Sequence, residues 1–240
     1  MWTIISAENK IHFMIATIIN AAAVLLGTAL GLLLKRRIPD SFKTVVMTSS
    51  GAVTLVLGLQ MAFETPSAIA SLFALLAGGF AGYALRIEDR VEALGGRLDG
   101  SGGGGDFAKG FLNASLLFCT GSMSIVGSIE AGTSGDYELI LIKSIMDGFM
   151  AIVFAANYGR GVAASTLTIL VYQGFFTLLG GWIEPLLGET GISAMSAAGG
   201  FLLVFLALGL LGIRQIRTGN FIPALILAPL TQYLYSLLPL

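Results

Sequence analysis

The chain has 240 residues, 55% hydrophobic and 11% charged, with a formal net charge of −1. Soluble domains carry about 25% charged residues, so this balance excludes an ordinary water-soluble fold, and no basic tract longer than Lys35-Arg36-Arg37 offers a nucleic-acid surface. A mean hydropathy of +0.88, spread over repeated bilayer-length apolar runs, reads as an all-α, polytopic transmembrane helical bundle.

The ten-residue alternation of a membrane β-barrel is absent. The single Cys119 excludes an internal disulfide and any CxxC motif, and the single His12 removes most histidine chemistry. Thirty-two glycines suit close helix packing in lipid. No cleavable signal peptide stands out, and Met1 to Lys10 reads as a loosely ordered leader.

Eight spans are expected: Ile11–Leu34, Thr44–Phe63, Ser67–Leu85, Gly110–Ile129, Tyr137–Asn157, Val162–Leu187, Ile192–Ile213 and Asn220–Leu238. Each nearly or fully crosses a hydrocarbon core of about 30 Å at about 1.5 Å per residue. Eleven of the thirteen Lys and Arg residues then fall on one side: Lys35, Arg36, Arg37, Lys43, Arg86, Arg90, Arg97, Lys109, Arg160, Arg214 and Arg217. Basic loops stay cytoplasmic, which puts both termini outside. Glu64, Glu130, Asp136, Glu138, Glu184 and Glu189 collect at or near the outer side.

Within the long loop 86–109, Ile87, Val91 and Leu94 fall on one helical face, as in a short interfacial amphipathic helix. The run Ser101-Gly-Gly-Gly-Gly105 reads as a flexible linker, so the segment is expected to act as a solvated tether.

Two three-span units, 11–85 and 162–238, flank a central hairpin at 110–157. Asn20-AAAVLL-Gly27 in the first span parallels Gln173-GFFTLL-Gly180 in the sixth. Leu57–Leu59 and Leu208–Leu210 both read Leu-Gly-Leu. An offset of five spans is odd, so the units are expected to be inverted, a plan shared by many secondary transporters. The alternative is compositional echo in a chain rich in Leu, Ala and Gly.

The central hairpin carries the polar residues. Asp147 lies about ten residues into its span, where a carboxylate costs about 2.5–3.5 kcal/mol. Lys143 precedes it by four on the same helical face. The pair is expected either to gate or couple transport or to hold the bundle together. Asn113, Ser115, Cys119, Thr120, Ser122, Ser124 and Ser128 stud the fourth span. Gly121 and Gly127 can let that helix break between them, exposing backbone groups suited to an ion or carboxylate; the alternative is a continuous helix using Ser and Gly for packing. Asn20 and Gln173 either face each other across a pathway or serve as hydrogen-bond glue. Gly27/Gly31 and Gly78/Gly82 each have GxxxG spacing, which suggests tight crossings or a dimer face.

Enzyme readings lack parts: there is no second membrane carboxylate for an aspartyl protease, no suitably placed His for a serine protease and no phosphate-binding loop. No cofactor or metal is expected.

At Ile15–Pro39, Gly110–Gly148 and Ser196–Pro229 the chain resembles the YqgA-like bacterial membrane proteins, described as a domain of unknown function and loosely as transport proteins. That family begins near Met14, so the preceding residues look like an extension. The resemblance implies a bacterial inner-membrane protein and supplies no substrate.

The expectation is a small secondary transporter or facilitator for a small solute or ion, surrounded by membrane lipids and plausibly a homodimer. Asp147, Lys143, Asn113, Thr120, Ser122, Ser124, Asn20 and Gln173 would line its pathway. An oligomeric ion channel and a non-transporting scaffold or sensor are the alternatives.

Overall fold

A computed structural model describes residues 7–35, 40–91, 93, 104–119 and 122–237. Among the described residues every regular element is helical: α1 (Ala7–Lys35), α2 (Asp40–Phe63), α3 (Ala68–Leu85), α4 (Gly104–Cys119), α5 (Ser122–Thr133), α6 (Glu138–Tyr158), α7 (Gly161–Leu210), a 3-10 turn (Thr218–Phe221) and α8 (Pro223–Ser236). A helix satisfies its own backbone, which hydrocarbon demands.

The caps follow local chemistry. Ser67 accepts the Ala70 N–H at the start of α3, and Arg86 ends that helix in the left-handed region. Pro223 opens α8 at its first turn, where a missing N–H costs nothing.

Four helices are long and apolar enough to cross a membrane: Met14–Leu34, Ala68–Leu85, Glu138–Tyr158 and Gly161–Leu210. The bent pair α4–α5 makes a fifth if it counts as one span. The apolar stretch Met47–Phe63 is shorter, and α8 has 14 residues. By length and composition alone, then, fewer spans stand out than the eight read from the sequence.

The 50 residues of α7 would rise about 75 Å as one straight helix, far more than a bilayer core. Gly188 interrupts it with non-helical φ 59 and ψ 176, three residues after Pro185. The chain therefore has two limbs, 161–187 and 189–210, where a loop is expected between Leu187 and Ile192.

α1, α2 and α3 each pack antiparallel against one helix from the last third of the chain. α1 meets the first limb of α7 at Thr17/Thr177 and Asn20/Gln173. α2 meets the second limb at Gly51/Leu211 and Gly58/Gly200. α3 meets α8 at Gly78/Ala224 and, across the preceding turn, at Gly82/Asn220. α1 also lies along α6, its most extensive neighbour. Both GxxxG pairs are used inside the protomer: Gly27 and Gly31 press on the Gly148 and Ile152 carbonyls, and Gly78 and Gly82 press on Ala224 and Asn220.

The first residues of the loop after α3 are docked. Glu88 N–H donates to Asn220 Oδ1 at 3.0 Å, and Gly219 N–H donates to Glu88 Oε2 at 3.0 Å. Arg217 reaches Asp89 at 2.7 Å. These bonds tie the segment that follows α3 to the 3-10 turn that precedes α8. Leu94 and residues 101–103 lie outside the described residues, and Gly104 and Gly105 belong to α4. Glu88→Ala removes an acceptor from a half-buried N–H and should cost about 1 kcal/mol in detergent unfolding. Arg217→Ala removes a pair whose side chains are 54% and 42% exposed, so its effect should stay within about 0.5 kcal/mol.

Candidate functional site

The site begins with a charged pair on one helix. Lys143 and Asp147 are one turn apart on α6, and Lys143 Nζ donates to Asp147 Oδ1 at 2.9 Å. Their side chains are only 9% and 6% exposed. α1 comes close enough to join them because Gly27, Gly31 and Gly148 carry no side chains at its crossing with α6. Asn20 Nδ2 then donates to Asp147 Oδ2 at 3.0 Å and to Gln173 Oε1 of α7 at 3.2 Å. Thr17 and Thr177 meet at 3.4 Å, within a turn of this contact on both helices. A charge pair and two carboxamides thus bind three helices into one buried network.

The network leaves polar capacity unused. Asn20 Oδ1 and Gln173 Nε2 are buried and meet no partner among the described residues. An unmet buried polar atom costs about 1–3 kcal/mol, so the arrangement does not look optimised for stability alone.

Two cavities of about 260 Å³ each lie along the bundle. One, called the outer cavity only because it lies away from the basic loops, reaches Lys143 and Asp147 from the side of Gln60 and Glu64 on α2, and Ser124 also lines it. The other lies toward the basic loops and is lined by Asp106, Lys109, Asn113, Asn157 and Tyr158. A leucine layer divides them. Leu117 and Leu203 face the outer cavity, and Leu206 and Leu210 face the other. On α6, Phe154 is fully buried between Met150 of the outer cavity and Asn157 of the other. Asn113 and Leu117 are one turn apart on α4, so the layer is about 6 Å thick there.

The expected site residues therefore divide. Asp147, Lys143, Asn20 and Gln173 come together. Asn20 and Gln173 meet in a closed helix interface, whereas Asp147 and Lys143 also border the outer cavity. Ser124 borders the same cavity and donates to the Phe118 carbonyl at 2.8 Å, which satisfies a carbonyl left open at the end of α4. Asn113 lies on the far side of the leucine layer, against Tyr158. Thr120, Gly121 and the Ser122 side chain lie outside the described residues.

α4 ends at Cys119, α5 begins at Ser122, and the two are bent by 60° relative to each other. Gly127 sits inside unbroken α5 and packs against Leu139 and Ile140.

Residues not anticipated also enter the site. Thr17 and Thr177 extend the network, and Met61, Met123, Met146 and Met150 line the outer cavity. The available signal was the spacing of Met146 and Met150, which bracket Asp147 one turn apart.

The family described as "Protein of unknown function (DUF554)" matches residues 15–233. The chain is 30% identical over 224 residues to "Uncharacterized membrane protein YdfK" of Bacillus subtilis (strain 168), covering 92% of this chain and 96% of that protein. It is 28% identical over 221 residues to "Uncharacterized protein YqgA" of Escherichia coli (strain K12), covering 89% and 94%. No solved structure matches it. The YqgA-like character read from Ile15–Pro39, Gly110–Gly148 and Ser196–Pro229 holds over nearly the whole chain, which is a membrane protein belonging to the DUF554 family.

Proposed function

We propose that the protein is a small secondary transporter or facilitator of the bacterial inner membrane, moving a small solute or ion by alternating access. In this reading the chain crosses eight times with both termini outside. α2 and α8 cross as short spans, and the two limbs of α7 are separate spans. Units 11–85 and 162–238 are inverted copies, and Lys143–Asp147 is the gating or coupling pair.

The carrying observation is the pair of cavities on either side of one thin leucine layer, with a buried ion pair at the edge of the outer one. A purely structural pair has no need of a cavity beside it. The inverted plan draws support from the packing: in each of three cases a helix lies antiparallel against its expected counterpart, and Asn20 touches the equivalent Gln173 itself. A two-fold axis between the units would produce that pairing. Because both GxxxG faces are occupied internally, a homodimer would use other surfaces.

The test is flux into proteoliposomes for a panel of monovalent cations, amino acids and carboxylates. Asp147→Asn should abolish gradient-driven uptake while the protein stays folded. Single-channel current steps that persist in this variant would favour a channel. No flux of any solute by the wild type would leave a scaffold.

A further inference from the structure

The outer cavity has an unusual lining. The chain contains eight methionines, and four of them, Met61, Met123, Met146 and Met150, border this one space. They come from α2, α5 and α6, so no single helical repeat accounts for their convergence. Thioether sulfur is a soft, uncharged donor that favours Cu(I) over hard cations.

The charge balance points the same way. Lys143 and Asp147 neutralise each other at 2.9 Å, leaving the Glu64 carboxylate at the mouth. The described lining thus carries one net negative charge, which favours a monovalent cation over an anion or a zwitterion. Among the described residues no Phe, Tyr or Trp borders the cavity, so they offer none of the aromatic faces that organic ammonium ions use. Among the described residues no His or Cys borders it either, which leaves the usual zinc donors out of that lining. Beyond the occupied Asp147, the side-chain oxygens among its described lining residues come from Gln60, Glu64 and Ser124, and Ser124 already donates to Phe118. That is a poor shell for Na⁺ or Mg²⁺.

We infer that this cavity binds a soft monovalent metal cation, Cu(I) or Ag(I), through methionine sulfur, with Glu64 drawing the ion in. The inference names a substrate class for the proposed transporter and rests on that reading for its physiological use; the binding itself does not depend on it.

The experiment titrates Ag⁺ into the full-length purified protein in detergent, in competition with a chromogenic chelator. The wild type should bind Ag⁺. M61L/M123L/M146L/M150L removes all four sulfurs and keeps nearly the same volume, and it should weaken binding at least about tenfold. M146L/M150L is the milder variant should the quadruple change fail to fold, which thermal unfolding would reveal. Met195→Leu, in a separate apolar cluster, should bind as wild type.

Undiminished Ag⁺ binding in either cavity variant overturns the inference. So does displacement of Ag⁺ by tetraethylammonium at equal concentration, or no Ag⁺ binding by the wild type. A parallel flux assay with anaerobic, ascorbate-reduced Cu⁺ separates the two readings. Flux of another solute without Ag⁺ binding removes the soft-cation site and leaves the transporter. Methionine-dependent Ag⁺ binding without flux of any solute keeps the site and removes the transporter.

Discussion

Replacing Asp147 by Leu is expected to destabilise the protein by about 3–5 kcal/mol, the largest loss from any single substitution in the network. The cause is what remains. Lys143 is only 9% exposed, and Asp147 Oδ1 at 2.9 Å is its one described acceptor. Without that carboxylate an ammonium group is left buried and unpaired. Asn20 also loses an acceptor, although its bond to Gln173 survives. The measurement is reversible unfolding in mixed micelles.

The double variant K143M/D147L separates structure from mechanism. Removing both charges leaves no orphan ion, and apolar replacements of buried pairs are often neutral or stabilising. Its stability should return to within about 1–2 kcal/mol of wild type, the residue being the lost Asn20 hydrogen bond. A pair that merely holds helices together would leave any flux intact in this variant. A pair that gates or couples would leave a folded, inactive protein. Full stability loss in the double variant would mean that the geometry around Asn20, rather than charge pairing, dominates.

The network was partly legible in the sequence because its chemistry is rare at membrane depth. Lys143 and Asp147 stand out as charges in an apolar run, and their spacing fixes the contact. Asn20 and Gln173 were found by comparing two spans, since each precedes Leu-Leu-Gly at the same distance. What escaped depends on which way an apolar side chain points. Leu117, Leu203 and Leu206 form the layer between the cavities, yet nothing in their neighbourhoods distinguishes them from exposed Leu26 or Leu33. The methionines were invisible for the same reason: α2, α5 and α6 must first be assembled before four scattered sulfurs share a space. The limbs of α7 were expected as two spans with a loop between them. Gly188 instead allows a kink within nearly continuous helix, a choice that hydropathy cannot register. The docking of Glu88 against Gly219 and Asn220 joins residues more than a hundred positions apart, and an amphipathic pattern indicates only that such a segment lies on some surface.

The two faces of the α1–α6 crossing should respond unequally to the same added methyl group. A Cβ on Gly27 would run into the Gly148 carbonyl, and one on Gly31 into the Ile152 carbonyl. Backbone carbonyls cannot swing aside as a side chain would, so α1 itself must move away. Gly27→Ala should therefore cost about 1–3 kcal/mol, the usual range for overpacking. A Cβ on Gly148 would lie 3.4 Å from the Ala23 carbonyl oxygen, close to ordinary contact. Gly148→Ala should be neutral, or slightly stabilising through helix propensity of about 0.5–1 kcal/mol. Unfolding of the two variants side by side checks the contrast, and equal losses would contradict the parallel approach of α1 and α6. The consequence for the site is specific. Asn20 is two turns from Gly27 on α1, and its bond to Asp147 spans 3.0 Å, so displacing α1 should loosen that bond before it breaks the Lys143–Asp147 pair, which lies wholly within α6. Gly27→Ala should thus lose flux at temperatures where it remains folded, whereas Gly148→Ala, one residue from Asp147, should retain it.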